Sequence, residues 1–427
     1  MKVAFCTLGC KVNQYESQSM EQALIKRGFE CVGASEEADV YIVNSCTVTA
    51  ESDRKTRQNV RHLRKLHPDA VIVLTGCMPQ AFPEDARLLT QADIVTGNRS
   101  NKQIPDMIDE FFRTRERIVR IAQHENGEKF SGELINDFRE RTRATVKIED
   151  GCNRFCSYCV IPYARGRVRS KPLEDIREEI SSLEKKGFSE IVLVGINLSA
   201  YGTDCGASIC DAVELAASFD GIKRVRLGSL EPDHMTPDVT KRLAEYKKLC
   251  PQFHISLQSG CDKTLKRMNR HYTAAEYEEL CTRLRSEFED ATLTTDVMVG
   301  FSGETKEDFE ISRDFVKKIG FEKVHVFPYS RRAGTRAAEF PDVVENAEKE
   351  RRSREMIAAA GEVRHEFLER QIGRTVEVLF EEKLRDGSIQ GYTANYTPVR
   401  IKSGCTHGLR KVKITACGDD WCEGELI

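Results

Sequence analysis

Long hydrophobic runs are absent from this chain: none of its 427 residues belongs to an apolar stretch of 18 or more, so no membrane span is predicted. A surplus of either charge is missing too. Lys and Arg number 65 against 68 Asp and Glu, a formal net charge of −3. That excludes a polycationic carrier and confines any nucleic-acid site to a local patch. There is no low-complexity tract and no tandem repeat. Hydrophobic residues at 40% and charged residues at 31% describe a globular chain rather than a disordered one. The opening MKVAFCTLGC has too short an apolar stretch for a secretory signal, so a cytoplasmic location is expected.

What the sequence does have is cysteine, 16 of them. A disulfide scaffold is not expected in a chain of this length without an export signal, and metal or redox chemistry becomes the leading question.

The fold class read from the pattern is α/β. In the first hundred residues, short apolar strands (Lys2–Thr7, Asp39–Asn44, Ala70–Thr75, Asp93–Thr96) alternate with helical stretches (Asn13–Arg27, Glu51–Leu66). Such alternation predicts a parallel sheet covered on both faces. A polar segment, 123–141, reads as a linker. Six β/α repeats follow, with strands at Thr145–Ile148, Ile191–Val194, Arg224–Leu227, Phe253–Leu257, Thr292–Val299 and Lys323–Phe327. Six repeats fit a partial (β/α)6 barrel, and an open doubly wound sheet is the rival. After a charged helix at Ala347–Arg370, five short strands predict a small antiparallel β-barrel of the OB type. The expected division is 1–122, a linker at 123–141, 142–370 and 371–427.

The sharpest motif is Cys152-Asn153-Arg154-Phe155-Cys156-Ser157-Tyr158-Cys159, a CxxxCxxC loop after the first strand of the second domain. Soft thiolates in one loop suit an iron–sulfur cluster, and three ligands leave one iron open for a small molecule. Zinc is the alternative, but no histidine stands nearby to complete its shell. Cys10, Cys46 and Cys77 form a dispersed second set, each just after a predicted parallel strand, where open α/β sheets gather ligands. Three small buried thiols are the plain alternative. The other ten cysteines form no ligand pattern.

The CxxxCxxC loop with Tyr158 before its last cysteine resembles the radical S-adenosylmethionine enzymes. The three-cysteine domain ahead of it and the small barrel behind it resemble the methylthiotransferases among them. The segments Thr7–Ser17 (TLGCKVNQYES) and Tyr163–Ser170 (YARGRVRS) are similar to the branch that modifies threonylcarbamoyladenosine at position 37 of tRNA.

The resemblance implies two [4Fe-4S] clusters, on Cys152/Cys156/Cys159 and on Cys10/Cys46/Cys77, with S-adenosyl-L-methionine bound at the first. It places Tyr158, Gly195, Asn197, Ser256, Gln258, Asp296 and Gly300 around the cofactor. It makes the terminal barrel a TRAM-like RNA-binding module. It also implies tRNA as partner through the anticodon loop, an electron donor such as flavodoxin or ferredoxin, and a sulfur source. Phosphate contacts are expected at Arg165, Arg167 and Arg169, which alternate after the cluster loop. Further contacts are expected at Arg57 and Arg61 on the helix after Cys46, and at Arg400, Lys402, Arg410 and Lys411 on the barrel. The expected geometry is a pocket between the clusters, capped by that barrel. Methylthiolation of isopentenyladenosine-37 or of a ribosomal-protein aspartate is the nearer alternative. A non-catalytic iron–sulfur RNA-binding protein is the further one.

Overall fold

A computed structural model describes residues 1–132, 135, 142–402 and 408–427. Most of the expected linker beyond residue 132, and Cys405, lie outside the described residues.

The N-terminal sheet is all parallel, with spatial order β2-β1-β3-β4-β5-β6. Its strands are β1 (Lys2–Thr7), β2 (Glu30–Val32), β3 (Val40–Ser45), β4 (Val71–Gly76), β5 (Ile94–Thr96) and β6 (Ile118–Arg120). Every residue of β3 and β4 is buried, as two covered faces require. Helix α1 (Lys11–Lys26) follows β1, α2 (Ala50–Leu66) follows β3, and α3 (Ile104–Thr114) lies between β5 and β6. Thr49 caps α2 by accepting from the Ser52 N–H, with acids in its first turn and bases in its last. The edge strands β2 and β6, of three residues each, escaped the sequence reading because they carry too little period to register.

The six expected barrel strands are present as β7 (Arg143–Lys147), β8 (Glu190–Val194), β9 (Arg224–Leu227), β10 (Gln252–Ile255), β11 (Thr292–Val299) and β12 (Lys323–Pro328). β9 continues past Gly228 into Ser229–Leu230, which pairs with β10. The strands run β7-β8-β9-β10-β11-β12 in parallel, and β7 and β12 do not pair. This is a partial barrel with a lateral opening. The N-terminus of α1 packs on this barrel: Val12 meets the lumen-side residues Val192 and Val194 of β8.

The long helix α5 (Asn346–Glu369) leads to a closed barrel of β13 (Thr375–Lys383), β14 (Ile389–Thr393), β15 (Pro398–Ile401), β16 (Gly408–Cys417) and β17 (Cys422–Leu426). β15 and β17 pair in parallel and the other neighbours are antiparallel.

This small barrel is not placed as the sequence reading expects. It docks on the starts of the partial-barrel strands, at the far end from the CxxxCxxC loop. Arg143 pairs with Glu381 at 2.6 Å, Arg226 donates to the Ala394 carbonyl at 3.0 Å, and Thr292 Oγ1 donates to the Asn395 carbonyl at 2.6 Å. It therefore closes the floor of the lumen rather than capping the cysteine face.

Candidate active site

Cys10, Cys46 and Cys77 follow β1, β3 and β4, three adjacent strands, so the parallel topology delivers them to one edge. Two glycines make the close approach possible. At Gly9 (φ +110°) a Cβ would lie 2.8 Å from Cys46 Cβ, and at Gly76 (φ +97°) it would lie 2.5 Å from the Ser45 backbone. Asn13 ties the set together. Its Nδ2 donates to the carbonyls of Leu8 and Ser45, both at 2.9 Å, and its Oδ1 faces Cys10 Sγ at 3.6 Å and Cys77 Sγ at 4.0 Å.

Cys152, Cys156 and Cys159 share a loop pinned at several points. The Cys152 N–H donates to the Gly166 carbonyl at 3.0 Å, the Cys159 N–H to the Cys156 carbonyl at 3.0 Å, and the Ser157 N–H to the Met268 carbonyl at 2.9 Å. At Gly151 (φ +88°) a Cβ would meet the Arg167 carbonyl at 2.0 Å, so no other residue fits there.

Each set receives one arginine whose side chain is almost fully covered and whose charge is held by a glutamate. Arg165 Nε donates to Cys77 Sγ at 3.2 Å while its other nitrogens engage Glu16 and, at 2.8 Å, Asn13. Arg270 Nη1 donates to Cys156 Sγ at 3.3 Å and pairs with Glu231. The helix α4 (Ile161–Arg165) begins two residues after Cys159 and ends in the arginine that touches Cys77, so it bridges the two sets.

Burial pushes the Cys77 thiol up to about 12, with Arg165 opposing and the nearby Cys46 and Cys10 adding to the rise. Burial likewise lifts Cys152 to about 12, and raises Cys46 and Cys159. The desolvated thiols of the two sets, Cys46 and Cys77 in one and Cys152 and Cys159 in the other, are disfavoured as bare thiolates. A cationic iron–sulfur group is the partner that relieves them. Among the described residues no three His, Cys, Asp or Glu side chains converge on a single-ion site. A cubane binds each thiolate through a different iron and takes wider spacing.

Two sequence profiles match this chain: the Radical SAM superfamily over residues 146–316, and the Uncharacterized protein family UPF0004 over residues 2–97. The chain is 35% identical, over all of its length and 96% of the relative's, to the threonylcarbamoyladenosine tRNA methylthiotransferase MtaB of Bacillus subtilis (strain 168). It is 37% identical to the protein of that name from Thermotoga maritima, over 99% and 96% of the two chains. The chain belongs to the radical S-adenosylmethionine methylthiotransferase family.

Other members of the family lie nearly as close. The tRNA-2-methylthio-N(6)-dimethylallyladenosine synthase of Pelotomaculum thermopropionicum is 36% identical over 91% of this chain and 88% of its own. Among solved structures, the radical S-adenosylmethionine methyltransferase TsrM from Kitasatospora setae shares the fold, with a TM-score of 0.57 at 15% identity over 80% of this chain and 73% of that one.

Several residues that the family resemblance implies for the cofactor collect around the CxxxCxxC loop. Asn197 Nδ2 points at Cys152 Sγ at 3.8 Å. Tyr158 packs edge-on against Phe301, ring centres 6.2 Å apart. The Ser256 carbonyl accepts from Arg270 and from the Tyr272 hydroxyl. Gln258, at φ +66°, exchanges backbone hydrogen bonds with Asp296 and Met298. Asp296 lines the lumen and pairs with His254 Nε2 at 3.3 Å. Gly195 abuts Glu149, whose Oε1 is buried without a hydrogen-bond partner among the described residues. Gly300 serves packing, since a Cβ there would meet Lys349 of α5 at 2.4 Å.

The phosphate expectations divide. Arg165 is 1% exposed and Arg169 6%, both in internal hydrogen bonds and ion pairs, so neither is presented to RNA. Alternation failed because Tyr163–Arg165 completes a helix rather than a strand. Arg167 is exposed over the Phe155 ring at 4.5 Å. Arg61, Lys402, Arg410 and Lys411 are exposed, Arg57 is half-buried, and Arg400 stacks on Trp421 at 3.6 Å.

Asn13, Glu149, Glu231 and Arg270 were not named as site residues from sequence. Asn13 stands in the quoted segment around Cys10, and Glu149 is three residues from Cys152. Arg270 and Glu231 carry no local signal, because they reach Cys156 only through the barrel fold.

Proposed function

We propose that this protein adds a methylthio group to C2 of N6-threonylcarbamoyladenosine at position 37 of tRNA, acting on the anticodon loop. The observation that carries the reading is the linking of two three-thiol sets through α4, which begins two residues after Cys159 and ends in the arginine that donates to Cys77. The partial barrel holds a cleft of about 700 Å³, which reaches from Lys11, next to Cys10, to the terminal barrel. A space of that size takes a nucleoside.

In this reading Cys152, Cys156 and Cys159 hold one [4Fe-4S] cluster with S-adenosyl-L-methionine, and Cys10, Cys46 and Cys77 hold the other. Bound there, these groups supply the one-electron and sulfur chemistry that an unactivated C–H bond demands. The chain's own residues do the rest. Asn13 and Arg165 fix the second set. Arg270 and Asn197 donate hydrogen bonds to the first. Glu149 Oε1 is a buried acceptor suited to an ammonium group such as that of the methionine moiety. Arg167 and Arg61, both exposed, are the proposed contacts for the phosphates of a single-stranded loop, whose bases can be splayed out for reaction. An electron donor and a sulfur source complete the proposed system, and a cytoplasmic site of action accords with it.

Two measurements test it. Anaerobically reconstituted protein should hold about eight irons per chain, and about four or none counts against it. Nucleoside mass spectrometry of tRNA from cells with and without the gene should show the 2-methylthio threonylcarbamoyl product only with it. A 2-methylthio dimethylallyl product instead would transfer the chain to the other branch of its family.

A further inference from the structure

Most charged side chains facing the cleft are already engaged. Arg226 pairs with Glu190 at 3.1 Å, Arg364 with Asp420 at 2.5 Å, Glu322 with Arg285 at 3.4 Å and Asp296 with His254 at 3.3 Å. Lys323 and His325 differ. They are alternate residues of β12, on the face that Phe327 also shows to the cleft. Among the described residues the Lys323 side chain makes no ion pair or hydrogen bond. His325 makes only a ring contact with His254, centres 5.9 Å apart. β12 thus presents an apolar ring at its strand end, then a hydrogen-bonding imidazole, then a cation without an ion pair among the described residues, each step about 7 Å further along the strand.

A threonylcarbamoyladenosine has the same order of chemistry: an aromatic base, a ureido group on N6, then a carboxylate. Its C2–H and C6–N6 bonds diverge. A base held near Phe327 with C2 toward the cysteine sets sends its N6 substituent away from them. We propose that His325 and Lys323 form the subsite that receives this substituent, His325 hydrogen-bonding the ureido group and Lys323 pairing with the threonyl carboxylate. Asp296 lies 3.3 Å from His254 Nε2 and is the register partner of His325, whereas Lys323 stands opposite the neutral Thr294. A dimethylallyl substituent has no group to satisfy Lys323, so the subsite is also a specificity device between the two branches of the family. This inference rests on the substrate named under Proposed function.

The test uses reconstituted full-length protein and three synthetic anticodon stem-loops. They carry at position 37 the threonylcarbamoyl group, its carboxyl methyl ester, or N6-dimethylallyladenosine. The wild type should prefer acid to ester by at least about tenfold in kcat/KM. Lys323→Met should bring that ratio close to one, chiefly through KM, and His325→Leu should raise KM for acid and ester alike. Iron content and Tm verify the fold. If Lys323→Met loses iron, Lys323→Gln replaces it, and Lys323→Arg should restore the preference. An acid-to-ester ratio near one in the wild type, or an undiminished ratio in a folded Lys323 variant, overturns the subsite and leaves the function standing. Reaction with the dimethylallyl stem-loop and not with the threonylcarbamoyl one overturns the function itself.

Discussion

Arg165 Nε donates a hydrogen bond to Cys77 Sγ at 3.2 Å, across 88 residues of chain. The same guanidinium grips Glu16 and Asn13, so one side chain joins the barrel's first helix, α1 and the second thiol set. Lysine cannot reproduce this fork. Arg165→Met leaves Glu16 buried without its main partner, which should cost roughly 3 kcal/mol. Urea titration under anaerobic conditions checks the stability. Iron analysis should show selective loss at the Cys10/Cys46/Cys77 set. Unchanged iron and an unchanged midpoint would remove Arg165 from the site.

The two cysteine sets should separate by function. Cys156→Ala should abolish formation of 5′-deoxyadenosine from S-adenosyl-L-methionine. Cys46→Ala should keep that cleavage and lose sulfur insertion into RNA, read by product mass spectrometry. A fully methylthiolated product from Cys46→Ala would exclude the second set as the sulfur site.

Arg270→Met removes the hydrogen bond to Cys156 Sγ and strands Glu231, whose carboxyl burial already pushes up and Arg270 pulls down. The expected result is a loss of about 3 kcal/mol in stability and an altered electron paramagnetic resonance signal from the first cluster alone. A signal identical to that of the wild type would argue that the arginine only packs.

Acid should loosen the contact between α1 and the partial barrel. Burial pushes the Glu16 carboxyl up, but Arg165 and Lys147 outweigh it, and its net position is below the ordinary carboxylate range. Asp150 is depressed in the same way by Lys147 and Arg165. A carboxyl depressed by folding stabilises fully above its unfolded value, about 4.3 for glutamate, and loses that contribution as pH falls through the folded one. The stability gap between wild type and Glu16→Gln should therefore be full above about pH 5 and shrink below roughly pH 4. Melting curves across that range give the gap directly, and a gap independent of pH would contradict the assignment.

Phosphate contacts should obey burial. Arg61→Gln should weaken tRNA binding and flatten its salt dependence by up to about one unit of slope. Arg169→Gln should lower Tm instead, since Arg169 is buried against Asp150 and the Arg165 carbonyl. Filter binding at several salt concentrations separates the two effects.

By itself the sequence determined the α/β alternation, the six barrel strands, the five-strand terminal barrel and the position of both cysteine triplets just after strands. These features are local: a period of two or 3.6, a turn residue, or a ligand one loop or one strand end away. Even the dispersed triplet was legible, because parallel strands carry their C-terminal ends to one edge wherever the helices between them lie. Only the tertiary structure decided that Arg165 and Arg169 are buried, that Arg270, paired with Glu231, reaches Cys156, and that the terminal barrel closes the lumen floor. Those outcomes depend on which faces of distant segments meet. Nothing in a linear pattern distinguishes a guanidinium reserved for a phosphate from one already claimed by a glutamate on another domain.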